Sequence, residues 1–144
     1  MSETISGRLE GNQHRLTQRV YYEDTDFSGS VYHARYLHFL ERGRTDFLRC
    51  LGIEQRRLAQ SGDNESLTFV VRHMDIDFRA PAAMDDLLDI VTEPQKVGGA
   101  RLVLHQEVHC GDRLLVTAQV TVAIVNREGR ARRMPEHIAA KLGL

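Results

Sequence analysis

The chain has 144 residues, 42% hydrophobic and 27% charged, which suits one domain with a real core and leaves no room for two. A formal net charge of -1 argues against a general nucleic-acid binder, and no apolar run is long enough to span a membrane. The opening residues lack the apolar segment of a signal peptide, and Cys50 and Cys110 stand far apart without metal-type spacing, so a cytoplasmic chain without disulfides is expected.

Residues 1–14 read as a flexible polar tail and residues 15–144 as a single domain. Arg15 to Glu23 reads as a strand, with Leu16, Val20 and Tyr22 among polar residues. Asp24 to Ser30 is rich in turn formers, and Ser28 or Ser30 is placed to cap a helix after it. From Val31 to about Leu51 the period becomes helical: Tyr36, Leu40, Gly43, Phe47 and Leu51 share one face. Gly43 lies inside that apolar stripe, where a missing side chain permits close approach of a neighbour. Gly52 ends the helix, and residues 53–66 read as a second short helix and a loop.

The rest of the chain is mostly strands. Leu67 to Phe78 alternates and ends at Arg79-Ala80-Pro81; Asp86 to Glu93 is shorter. Gly98-Gly99 turns the chain into Arg101–His109, and Gly111-Asp112 closes a hairpin with Leu114–Ile124. Pro135 to Leu142 reads as a closing helix with Pro135 near its first position. One strand, one long helix and four more strands make an α+β pattern: a curved antiparallel sheet of about five strands wrapped around the helix.

The chemistry concentrates between Tyr21 and His33, where carboxylates precede a small-residue loop and the start of the long helix. The first N–H groups of a helix lack intrahelical partners, and the dipole there is positive, so that end suits an oxyanion. A nearby carboxylate then has a carbonyl to attack, or a water to activate against it. On spacing alone, the same aspartates also read as caps or turn residues.

Tyr22-Glu23-Asp24-Thr25-Asp26, Gly29, Val31-Tyr32-His33, Tyr36, Phe39, Glu41, Arg44 and Asp46 resemble the signature of the YbgC-like branch of the 4-hydroxybenzoyl-CoA thioesterase family. Phe69-Val70-Val71-Arg72 and Arg79-Ala80-Pro81 are similar to that branch as well, and the likeness covers roughly residues 16–140. The resemblance implies a hotdog fold, a homodimer or homotetramer with active sites at subunit interfaces, and hydrolysis of a small, short-chain acyl-CoA. It implies Asp26 as the catalytic carboxylate, with His33 or its immediate neighbours supplying a polarising N–H and the His33 imidazole orienting water or the acyl group. Tyr22, Gly29, Ser30, Val31 and Tyr32 would contact substrate. No metal or bound organic cofactor is implied, since coenzyme A belongs to the substrate. Possible partners are acyl carrier protein and cell-envelope or phospholipid-synthesis proteins. The rival expectations are a hotdog dehydratase on acyl carrier protein thioesters, or a non-catalytic acyl-thioester or protein-binding module.

Other residues carry simpler readings. Asp24 reads as a turn or hydrogen-bonding residue, and Glu41 with Arg44, three apart on the helix, as an ion pair. His105 and His109 share a strand face roughly 13 Å apart, too far for one metal ion, and read as solvent-facing. Arg127, Arg130, Arg132 and Arg133 form a basic turn, and Arg130 and Arg132 are its candidates for the phosphates of coenzyme A.

Overall fold

The computed structural model describes residues 5–59 and 66–143; part of the expected tail, and the loop expected within 53–66 at residues 60–65, lie outside them. Six strands form one antiparallel sheet: β1 (Arg8–Glu10), β2 (Gln13–Arg19), β3 (Thr68–Phe78), β4 (Leu87–Gly98), β5 (Arg101–Cys110) and β6 (Arg113–Val125), in the order β1-β2-β4-β5-β6-β3. The long helix α1 (Arg35–Cys50) lies on the sheet, and the short helices α2 (Gln55–Ala59) and α3 (Glu136–Lys141) complete the chain.

The alternation in the strands dictates this arrangement. On β5, Leu102, Leu104 and Val108 are buried; on β6, Val116, Ala118, Val120, Val122 and Ile124 are buried. They meet Tyr36, Phe39, Leu40, Phe47 and Leu48 of α1 in one core. Each fully buried side chain of this size contributes roughly 1.5–3 kcal/mol. Gly43 is where helix and sheet touch: a Cβ there would lie 2.5 Å from Ile90 Cγ2.

Three differences from the sequence reading have physical causes. The sheet has six strands because β1 and β2 begin inside the expected tail: Arg8 pairs with Arg15, and His14 is wholly buried. Asp46 of α1 draws that segment in, accepting from His14 Nε2 and from the Gly7 N–H, each at 2.7 Å. Helix α1 starts at Arg35 rather than Val31, because Thr25 bridges to Val31 and Ser30 to Ala83. Ala34 therefore caps the helix, with no side-chain hydrogen bond from either serine. Finally, β4 runs on to Gly98, bending at an irregularity between Pro94 and Lys96.

Candidate active site

The loop before α1 is closed by its own backbone. The Asp26 N–H donates to Ser30 O at 2.8 Å, the Gly29 N–H to Asp26 O at 3.1 Å, and the Val31 N–H to Ala82 O at 2.8 Å. Gly29 turns the chain with φ of 88°, a conformation L side chains rarely adopt. Asp26 projects from this loop into solvent, and its Oδ1 accepts from Ser28 N at 2.8 Å and Ser28 Oγ at 2.6 Å. Both close hydrogen bonds fall on one oxygen, which leaves Oδ2 available. They hold the carboxyl below the ordinary aspartate pKa, the hydroxyl of Ser28 first. Ser28 is the residue the sequence reading undervalued; its Asp-x-Ser spacing is the signal of such a turn.

Asp24 does different work. It is buried, accepts from the Tyr21 N–H at 2.9 Å, and pairs with Arg35 Nε at 2.9 Å. The hydrogen-bonding role read for it from sequence is the one it has.

The backbone at the helix start narrows the oxyanion candidates. The Tyr32 N–H donates to Asp24 O, and those of Arg35, Tyr36 and Leu37 to Tyr32 O, His33 O and Ala34 O. Among the described residues, the N–H groups of His33 and Ala34 have no such acceptor. The His33 ring is exposed, 4.7 Å from the Tyr32 ring and edge-on to Phe78 at 6.1 Å. Tyr36 accepts from the Ala82 N–H at 3.0 Å, tying the helix start to the segment after β3. Tyr22 and Phe27 stand in solvent, at 81% and 109% relative exposure, so neither is core.

The structure brings Asp26, Gly29, Ser30, Val31, Tyr32 and His33 together. It does not bring Arg130 and Arg132 to them within one chain. The Arg132 N–H bonds to Ile124 O, beside the Thr68–Val125 pair, whereas Phe78 and His33 lie at the Phe78–Val116 end. Ten residues of strand separate those ends, roughly 30 Å.

Two further clusters differ from expectation. Glu41 does not pair with Arg44; its carboxylate accepts from Thr45 Oγ1 at 2.6 Å, while Arg44 turns inward to Gln106 Oε1 at 3.0 Å. His105 and His109 are half-buried rather than free in solvent. Each bonds to a separate oxygen of Glu107 at 2.8 Å, which lowers the Glu107 pKa. His14, Asp46 and Cys50 offer ligand atoms within 4.8 Å of one another. A metal-bound histidine normally donates its second nitrogen to an acceptor, and His14 Nδ1 is buried without one. The trio therefore serves as a clamp between β2 and α1. No helix among the described residues is long and apolar enough to cross a membrane.

Comparison with known proteins is consistent with this geometry. Residues 28–117, more than half of the chain, match the Thioesterase superfamily. The match begins just past Asp26, so the assignment of that residue does not rest on it. A Haemophilus influenzae protein named acyl-CoA thioesterase YbgC is 46% identical over 108 residues, 75% of this chain and 77% of that protein. An Escherichia coli protein named acyl-CoA thioester hydrolase YbgC is 42% identical over 129 residues, 88% of this chain and 93% of that one. A crystal structure described as a probable thioesterase from Bartonella henselae superposes with a TM-score of 0.79 at 50% identity, covering 85% of this chain and 98% of that one. With its helix-wrapping antiparallel sheet and these relatives, the chain belongs to the thioesterase superfamily of hotdog fold, in the YbgC branch.

Proposed function

We propose that the chain hydrolyses small, short-chain acyl-CoA thioesters, with Asp26 as the catalytic carboxylate. The observation that carries this is an ionised, solvent-facing carboxylate with one free oxygen, on the loop that leads to the unengaged N–H groups of His33 and Ala34. Those N–H groups receive the thioester oxygen as negative charge develops on it. Asp26 Oδ2 either attacks the carbonyl carbon, giving a mixed anhydride that water then cleaves, or takes a proton from the water that attacks the carbonyl directly. The C–S bond breaks, coenzyme A leaves as a thiolate, and the acid is released. His33 is placed to orient the water or the acyl group. A thiolate leaves readily, so the proposal includes no metal or organic cofactor. The test is thiol release across short, long and aromatic acyl-CoAs: kcat/KM is expected to peak for short chains, and a preference for long ones would overturn the size assignment.

Asp26 also sets a pH dependence. A carboxyl with a depressed pKa stays ionised as pH falls and loses its charge only below the ordinary aspartate value. Activity should then show no acid limb from this group above about pH 4. Ser28→Ala removes the first cause of the depression, so the limb should move upward while the plateau rate falls only about two- to fivefold. A pH–rate profile unchanged in shape would contradict this role for Ser28.

The partner we propose is a second copy joined through β3. This strand is an open edge 11 residues long, with Val70, Val71 and Phe78 well exposed. An antiparallel self-pairing that sets Arg72 against the partner subunit's Asp75 also sets Phe69 against the partner's Phe78. Phe69 and Phe78 both face the helix side, a phase allowed by the bulge between Val71 and His73. Such a dimer carries the basic turn of one subunit toward the Asp26 loop of the other, where Arg130 and Arg132 can meet the phosphates of coenzyme A. Arg72→Asp should raise the dimer dissociation constant about fivefold or more, and Arg72→Asp with Asp75→Arg should restore it. Sedimentation equilibrium reads both; a wild-type monomer would overturn the arrangement. A cytoplasmic setting accords with this reading, and neither Cys50 nor Cys110 forms a disulfide among the described residues.

A further inference from the structure

A cavity of about 410 Å³ opens between α1 and the inner face of β3, β5 and β6. That volume falls within the range of about 300–1,000 Å³ typical of small-molecule sites. Leu48, Phe69, Leu102, Leu104 and Val122 give it apolar walls. Two charged residues, Glu41 and Arg44, interrupt them. Arg44 lines the cavity at only 9% exposure, with Gln106 as its acceptor. No ion pair joins it to a carboxylate among the described residues, and the neighbouring Glu41 is held by Thr45 at the exposed side. Burial pulls the Arg44 pKa below its usual value, and the charge of nearby Glu41 offsets only part of that.

A guanidinium carries five N–H donors in a planar fork, and Gln106 takes one of them at Nη1. The group that matches the rest is a carboxylate, which accepts two parallel hydrogen bonds and supplies the missing charge. The geometry points to this cavity as the binding site for a carboxylate on an apolar stem, held by Arg44. Two sources carry that chemistry: the far carboxylate of a dicarboxylic acyl group on coenzyme A, and the free acid that hydrolysis releases. The thioesterase reading supplies these two sources; the site itself rests on Arg44 and the cavity.

The test is calorimetric titration of the whole protein with hexanoate and with its uncharged counterpart hexanamide. Hexanoate should bind at least about tenfold more tightly, the factor for one charge-assisted hydrogen bond. Arg44→Met should abolish the difference, and Arg44→Lys should keep part of it. Val71→Trp, at the cavity wall, should weaken both ligands and leaves Arg44 in place if Arg44→Met fails to fold. Equal binding of hexanoate and hexanamide by the wild type, or binding of neither, overturns the inference. The source is read from turnover. A higher kcat/KM for adipoyl-CoA than for hexanoyl-CoA, lost in Arg44→Lys, identifies the substrate's own carboxylate. Inhibition by hexanoate without that preference identifies the product acid. Hydrolysis of hexanoyl-CoA without carboxylate binding would sink this inference alone, whereas carboxylate binding without hydrolysis would sink the thioesterase reading alone.

Discussion

Asp26→Asn should lower kcat by about 10²- to 10⁴-fold, the range for removing a positioned acid–base group, with KM nearly unchanged. The amide oxygen of asparagine can still accept from Ser28, and the side chain is exposed, so the melting temperature should hardly move. Asp24→Asn makes the useful contrast. That carboxylate is buried against Arg35 and the Tyr21 N–H, so its loss should appear as about 1–3 kcal/mol of stability, with a smaller effect on the chemical step. Near-normal turnover by a folded Asp26→Asn protein would remove Asp26 from the mechanism.

Gln106→Leu should destabilise the fold by about 3–5 kcal/mol, a large part of the roughly 5–15 kcal/mol that holds a domain together. Gln106 is wholly buried; its Nε2 donates to Leu40 O and Thr92 Oγ1, each at 2.9 Å, and its Oε1 accepts from Arg44. Leucine fills a similar volume but leaves the Arg44 charge buried without its acceptor. Denaturant titration reads the loss as a lower midpoint with an unchanged slope. The double variant Gln106→Leu with Arg44→Met should recover much of the stability, because an apolar pair replaces a stranded cation. A loss below about 1 kcal/mol in the single variant would mean that solvent in the cavity already serves Arg44.

These two residues also mark how far the sequence could be read. Alternation located the main strands, and Gly43 in the apolar stripe pointed correctly to the close approach of β4, where Ile90 leaves no room for a Cβ. Gln106 was not legible in the same way. It sits on the apolar face of β5, and its partners come from two other elements, α1 and β4, distant along the chain. The burial of His14 depends on Asp46, which no local pattern in a polar N-terminal stretch foretells. At the site, family resemblance selected Asp26 over Asp24, and the hydrogen bonds give the physical contrast: one carboxylate is exposed with a free oxygen, the other is spent on Arg35. The helix start was misjudged by four residues because bridges to Thr25 and Ala83 hold Val31 and Ser30 extended. That shift matters to the chemistry, since it leaves His33 and Ala34, and not Val31 or Tyr32, with N–H groups to offer. The separation of Arg130 and Arg132 from Asp26 was invisible because spacing along a chain does not say which end of a sheet a turn occupies.

The measurement that bears most directly on the central claim is a mass balance on the wild-type protein with a short acyl-CoA such as butyryl-CoA. Thiol appearance and acid formation should rise together, in equal amounts and over many turnovers. Butyryl-CoA that binds tightly and is recovered intact would contradict the account and make the chain an acyl-thioester binding module instead.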